Sequence, residues 1–204
     1  MGTFPEIDDL FSKADVVRTT HLLLHRTVMP DAVTYKFIST PAGKLLLGQA
    51  ADGLCWSAFC DDENKALEEM TGVFREAVIT PGGGLWLRKA ENIMADPVRA
   101  RDSLCLLVSG SQFRLGVWRQ LLDTPFGTVT TYGRIAAGLG DPNASRAVGA
   151  AVGANPIAYF IPCHRVVNAD GTTGHFRWGA ETKKTLIAFE REAAAKKSGP
   201  FDSF

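Results

Sequence analysis

Three runs rich in β-branched, aromatic and leucine side chains, Val33-Thr34-Tyr35-Lys36-Phe37-Ile38, Leu45-Leu46-Leu47 and Leu54-Cys55-Trp56-Ser57-Ala58-Phe59, are separated by Pro41-Ala42-Gly43 and Ala51-Asp52-Gly53. Short apolar runs broken by glycine turns read as strands joined by hairpins, so a three-stranded antiparallel meander is expected. Glu63 to Glu76 then places Ala66, Leu67, Met70 and Phe74 at helical intervals, and Pro81-Gly82-Gly83-Gly84 ends the pattern. One helix should pack on that sheet. After Ser109-Gly110-Ser111 the chain turns helical, with Phe113, Val117, Trp118, Leu121 and Leu122 on one face before Pro125-Phe126-Gly127. The expected fold class is therefore α/β (α+β), in four stretches. They are an arm over 1–30 with room for one short helix, an antiparallel-sheet domain over 31–109, a mostly helical domain over 110–196 and a tail over 197–204.

The 204 residues are 46% hydrophobic and 22% charged, ordinary for a globular chain, and no stretch approaches the roughly 18 apolar residues of a membrane span. The acidic first fifteen residues carry no basic flank before an apolar run, so no signal peptide is expected and the cytoplasm is the expected location. Formal net charge is zero, against a protein that holds nucleic acid by bulk electrostatics. The halves differ, however: residues 1–110 carry a net −4 and residues 111–204 a net +4. A polyanion should meet the second half.

Thr131 to Gly140 reads as a short helix with a glycine stop, and Asp141-Pro142-Asn143 as the start of a second that runs to Ala154. Two short helices joined by a glycine turn suggest a helix-turn-helix. The second is unusual: Ala144, Ser145, Ala147, Gly149, Ala150, Ala151 and Gly153 surround one long side chain, Arg146. Such a helix suits tight packing against another helix. A DNA groove, with Arg146 entering the base stack, is the sharper alternative that spacing alone does not decide.

Of the four cysteines, Cys55, Cys60 and Cys105 sit in apolar runs and are assigned to packing. His21, His25, Cys55 and Cys60 do not make a metal-knuckle spacing, and no metal is expected. Cys163 stands apart, in Tyr159-Phe160-Ile161-Pro162-Cys163-His164-Arg165, where a strand-like run stops at proline and a thiol and an imidazole follow. Proline cannot donate a ladder hydrogen bond, so a turn there would bring His164 beside the sulfur as its base.

Together, Thr131-Tyr132-Gly133, Ser145-Arg146-Ala147-Val148-Gly149, Asn155-Pro156-Ile157, Ile161-Pro162-Cys163-His164-Arg165-Val166 and Lys184-Thr185-Leu186-Ile187-Ala188-Phe189-Glu190 resemble the O6-alkylguanine-DNA alkyltransferase family. The resemblance is close over residues 113–194 and weaker over the strands of 33–60. It implies a DNA repair protein in which Cys163 displaces the alkyl group from O6 of guanine and keeps it. His164, bridged through water to Glu190, would draw off the thiol proton. Asn155 would form the hinge between recognition helix and active-site loop. The lesion must leave the stack to be reached. By resemblance Arg146 fills the gap, Tyr132 helps extrude the nucleotide and gives the departing guanine a proton, and backbone carbonyls near Cys163 and Val166 read its amino group.

Ser145, Ala147 and Ala151 would line the DNA contact, and Phe176, Arg177 and Trp178 the substrate loop. The implied partner is double-stranded DNA containing O6-alkylguanine, bound through the minor groove by a monomer that needs no membrane. No cofactor motif is present, so none is expected. A thioether is a poor leaving group, which implies one turnover per molecule. Arg134, His175 and Phe176 depart from the family's usual residues, and the bulk of Trp178 suggests a pocket that favours methyl over larger groups.

Three rivals compete. A non-enzymatic lesion binder of the same fold would lack the reactive cysteine, which this sequence keeps. A cysteine hydrolase needs an oxyanion hole, and none is discernible. A transcription regulator would need a second DNA-reading module, and none is in view.

Overall fold

A computed structural model describes residues 21–24, 29–100 and 103–197. The meander is present as β2 (Ala32–Thr40), β3 (Gly43–Gln49) and β4 (Leu54–Cys60), paired antiparallel. It is half of a larger sheet. β1 (His21–Leu24), β5 (Val78–Pro81) and β6 (Cys105–Val108) add to it in parallel, giving the order β1-β6-β4-β3-β2-β5. The small antiparallel sheet of the sequence reading is thus a six-stranded mixed sheet, because parallel neighbours come from distant chain and carry no hairpin signal. Residues 21–24, assigned to the arm, are its first strand. The short helix allowed to the arm and the tail beyond residue 197 lie outside the described residues.

Strand β3 is buried on both faces. Leu45 and Leu47 join a cluster with Leu54, Phe59, Leu106 and the C-terminal helices, while Leu46 points the other way into Val33, Trp56, Ala66, Met70 and Phe74. Helix α1 (Glu63–Val73) covers that second face, capped by Asp62, which accepts hydrogen bonds from the Asn64 and Lys65 amides. Helix α2 (Leu85–Ala95) was not anticipated. Gly84, at its N-cap, offers no side chain; Gln49 of β3 accepts from the Trp86 and Leu87 amides instead, at 3.0 Å each. Any side chain at Gly84 would collide with that amide group.

The C-terminal part carries α3 (Gln112–Asp123), α4 (Tyr132–Gly138), α5 (Ser145–Gly153) and α6 (Ala180–Lys197). Ser111 caps α3 and Thr131 caps α4, each accepting from the amide three residues on. Gly140, at φ +83°, supplies the left-handed stop expected between α4 and α5. Two-residue strands β7 (Thr130–Thr131) and β8 (Val166–Val167) pair in parallel and set the start of α4 beside the chain that follows Cys163. The apolar cluster that includes Leu45, Phe59 and Leu87 continues through Trp118, Val148, Ile157 and Cys163, so sheet and helices share one core.

Candidate functional site

The segment from Asn155 to Arg165 is held against the sheet by its backbone. Ser57 of β4 donates its amide to the Pro156 carbonyl and its hydroxyl to the Ala158 carbonyl, and its own carbonyl accepts from the Ala158 amide. Tyr159, Phe160 and Ile161 were expected to run as a strand, but they form a buried turn with Tyr159 at φ +68°. A non-glycine residue in that region is strained and persists only where its surroundings enforce it. Here the Tyr159 ring stacks on the His164 ring at 5.7 Å and 2° between planes. Pro162 then leads into a single 3-10 turn, Cys163–Arg165.

Asn155 is fully buried and ties this turn together. Its amide nitrogen donates to the Ile161 carbonyl at 2.8 Å and lies 3.1 Å from the Cys163 sulfur, while its oxygen accepts from the Ile157 amide. It lies between the end of α5 and the turn that carries Cys163. Cys163 is 3% exposed, and burial pushes its thiol up to about 11 against the smaller pull of the Asn155 hydrogen bond and the Lys183 charge.

The imidazole of His164 meets Glu190 directly, Nε2 to Oε1 at 2.9 Å, where a water bridge was expected. Both side chains are buried, so no room is left between α6 and the turn for a bridging molecule. Glu190 also accepts Arg165 Nε and Nη2, each at 2.8 Å, and the Gly127 amide at 3.2 Å. Burial alone would raise this carboxyl, but the hydrogen bonds and charges of His164 and Arg165 hold it at about 2. Burial in turn lowers the His164 imidazole, and its contact with Glu190 only partly opposes this. A neutral ring that donates from Nε2 carries its lone pair on Nδ1, and Nδ1 is buried with no hydrogen-bond partner among the described residues. That is the atom able to take a proton.

Helix α5 presents Ser145, Arg146, Ala147, Gly149, Ala150 and Gly153 on its accessible side. Ala151 does not belong there: it is 2% exposed, and its carbonyl accepts from the Trp118 indole. Four residues would have carried it round to the Ala147 face, but α3 covers that position. Tyr132 opens α4, half-buried, with its ring next to Gly149. Burial, and then the nearby Cys163, raise its phenol, which keeps the hydroxyl protonated.

Val166 and Phe176 are buried in the same apolar cluster as Cys163. Trp178 packs edge-on against Phe176 and Phe59. Arg177 pairs with Glu69 of α1 and lies over the Trp56 and Trp178 rings. Two participants went unassigned by the sequence reading. Arg165 was visible in the motif but had no role until its fork met Glu190. Lys183, 1% exposed, donates to the Thr173 carbonyl and lies 5.9 Å from the Phe176 ring, and nothing in its helical spacing announces that.

A family model described as the DNA binding domain of 6-O-methylguanine DNA methyltransferase matches residues 112–192. The methylated-DNA–protein-cysteine methyltransferase of Methanosarcina acetivorans is 34% identical over 161 residues, 76% of this chain and 97% of that protein. The bifunctional transcriptional activator/DNA repair enzyme Ada of Escherichia coli is 31% identical over 93% of this chain, which spans only 54% of Ada. The crystal structure of Mycobacterium tuberculosis OGT in complex with DNA superposes with a TM-score of 0.63 at 30% identity, over 78% of this chain and 94% of that one. A buried cysteine-histidine-glutamate array, a small-residue helix beside it and two relatives matched over nearly their whole length agree: this chain belongs to the O6-methylguanine-DNA methyltransferase family.

Proposed function

We propose that this chain repairs duplex DNA by transferring a methyl or other alkyl group from O6 of guanine irreversibly to its own Cys163, once per molecule. The observation that carries the reading is the buried sulfur beside an imidazole whose Nε2 is committed to Glu190 and whose Nδ1 is free to accept a proton. The similarity to Mycobacterium tuberculosis OGT, crystallised in complex with DNA, supports the same reading.

The steps balance without a cofactor. His164 Nδ1 takes the thiol proton, and the sulfur attacks the alkyl carbon in line. The S–C bond forms as the C–O6 bond breaks, and the electron pair of the broken bond stays on the guanine. Tyr132 gives the ring a proton, and the tyrosinate recovers one from the His164 imidazolium, directly or through solvent. The product is guanine and an S-alkyl cysteine, whose thioether is a poor leaving group. Charge separation across Cys163, His164 and Glu190 inside a water-poor site is stabilised by fixed hydrogen bonds rather than by reorganising solvent.

Access requires the damaged nucleotide to leave the stack, at a cost of a few kcal/mol. Helix α5 would lie in the minor groove with Ser145, Ala147, Gly149 and Ala150 against the walls and Arg146 in the vacated space. Among the described residues no helix is long and apolar enough to cross a membrane. The protein would act as a monomer, since one α5 and one Cys163 suffice for one lesion.

The test is intact-protein mass after incubation with duplex DNA carrying one O6-methylguanine. Wild type should gain one methylene and saturate at one equivalent, while Cys163→Ala gains nothing. Tight lesion binding with no gain in mass would sink the proposal in favour of a lesion-marking protein.

A further inference from the structure

Cys163 is 3% exposed, so whatever flanks it bounds the group it can receive. One flank is the loop between β8 and α6. Lys183 fixes its near side: the ammonium donates to the Thr173 carbonyl and lies by the Phe176 ring, and Phe176 packs in the same buried apolar cluster as Cys163. Glycines at φ +64° (Gly174) and +95° (Gly179) bracket the stretch that follows. Such residues let the chain turn sharply and also leave it little intrinsic stiffness.

The far side of the loop is held by the other half of the molecule. Arg177 pairs with Glu69 of α1, and its guanidinium sits 6.0 Å from the Trp56 ring of β4 and 5.5 Å from Trp178. Trp178 in turn meets Phe59 of β4 at 6.4 Å and Phe176 at 5.2 Å. A half-exposed ion pair alone contributes little. A guanidinium laid over two indoles and anchored by a carboxylate has its orientation fixed on several sides.

We propose that Glu69 and Arg177 form a strap by which the sheet unit holds the 173–178 loop against the Cys163 pocket, and that this strap limits the size of the alkyl group the sulfur accepts. The size limit rests on the reading of Cys163 as the acceptor; the strap does not. Glu69 is remote from the sulfur and acts only through Arg177, so it is a positioning residue rather than a catalytic one.

Glu69→Gln removes the anchoring charge from an exposed helix position, and the fold should tolerate it. Two measurements follow on wild type, Glu69→Gln and the exchanged pair Glu69→Arg/Arg177→Glu. Hydrogen exchange of the 173–179 amides in the free protein reads the strap itself; it should quicken in Glu69→Gln and return part of the way in the exchanged pair, which restores the ion pair without the indole contacts. The ratio of benzyl to methyl uptake, from free O6-benzylguanine and from methylated duplex, should rise about tenfold in Glu69→Gln, the scale on which a pocket discriminates by size. Unchanged loop exchange in Glu69→Gln overturns the strap. Quickened exchange with an unchanged ratio overturns its role in size selection. A wild type that takes up neither group fails the proposed activity instead, and overturns the size limit with it, while the exchange result still decides the strap.

Discussion

A thiol that burial has pushed up to about 11 is almost wholly protonated at neutral pH, so the attack of Cys163 depends on how readily a neighbour takes its proton. His164 is suited to that because burial lowers its own proton affinity, leaving the ring neutral in neutral solution. The single-turnover rate of methyl uptake should therefore be level around neutrality and fall on the acid side, below the ordinary imidazole value of 6.5, as His164 gains a proton. A rate that climbed in proportion to hydroxide from mildly acidic to mildly alkaline solution would mean that the thiolate forms by ionisation alone. Glu190→Gln keeps the side-chain size but removes the charge that orients His164 and would stabilise its imidazolium. Methyl uptake should then slow by about 10²-fold, the typical worth of a positioned base.

Helix α5 makes its contribution as an element, through what its outer face lacks. Ala150 is exposed and has ordinary helical neighbours, so Ala150→Glu should leave the thermal midpoint unchanged, glutamate being a good helix former. Bulk and negative charge would nevertheless face the phosphates, and methyl uptake from duplex should drop more than tenfold, while uptake from free O6-benzylguanine stays the same. A matching loss with the free base would place the fault in the Cys163 turn instead of the groove.

Elements with local signals were legible in the sequence. The meander had its glycine turns, α1 its acidic start and apolar spacing, and α4 its Gly140 stop. Helix α2 was not, because its cap comes from Gln49, 37 residues away, and a glycine occupies its own N-cap. The Tyr159–Ile161 stretch looked like a strand because three apolar residues in a row read alike in a strand and in a buried turn. What bends it is a pairing with Ser57 across 101 residues. At the site, the cysteine-histidine motif is local in sequence and was legible as a candidate pair. The contacts of Arg165, Arg177 and Lys183 depend on tertiary packing and had no local pattern to reveal them.

Across the whole molecule, Glu190 is the point where α6, the Cys163–Arg165 turn and the Gly127 turn before β7 meet. Its carboxyl is held at about 2 in the fold against an ordinary 4.5, so between those values the unfolded chain binds more protons than the folded one. The stability this carboxylate contributes is complete above pH 4.5, erodes as the pH falls, and is gone below about 2. By the usual conversion it is on the order of 3 kcal/mol. His164 adds to the same trend, since its lowered affinity makes protonation favour the unfolded chain once the pH drops below 6.5. Urea midpoints measured down this range should decline steeply in wild type. Glu190→Gln should start lower, from loss of a partner to partly buried Arg165, and decline less. Because one apolar cluster runs from Leu45 and Phe59 to Trp118 and Cys163, the decline should belong to the whole chain. Fluorescence of Trp56 in the sheet and of Trp118 in α3, each isolated by replacing the other three tryptophans with phenylalanine, should follow one curve. Two separated curves would mean that the sheet and the helices unfold independently, and that only the helical half depends on Glu190.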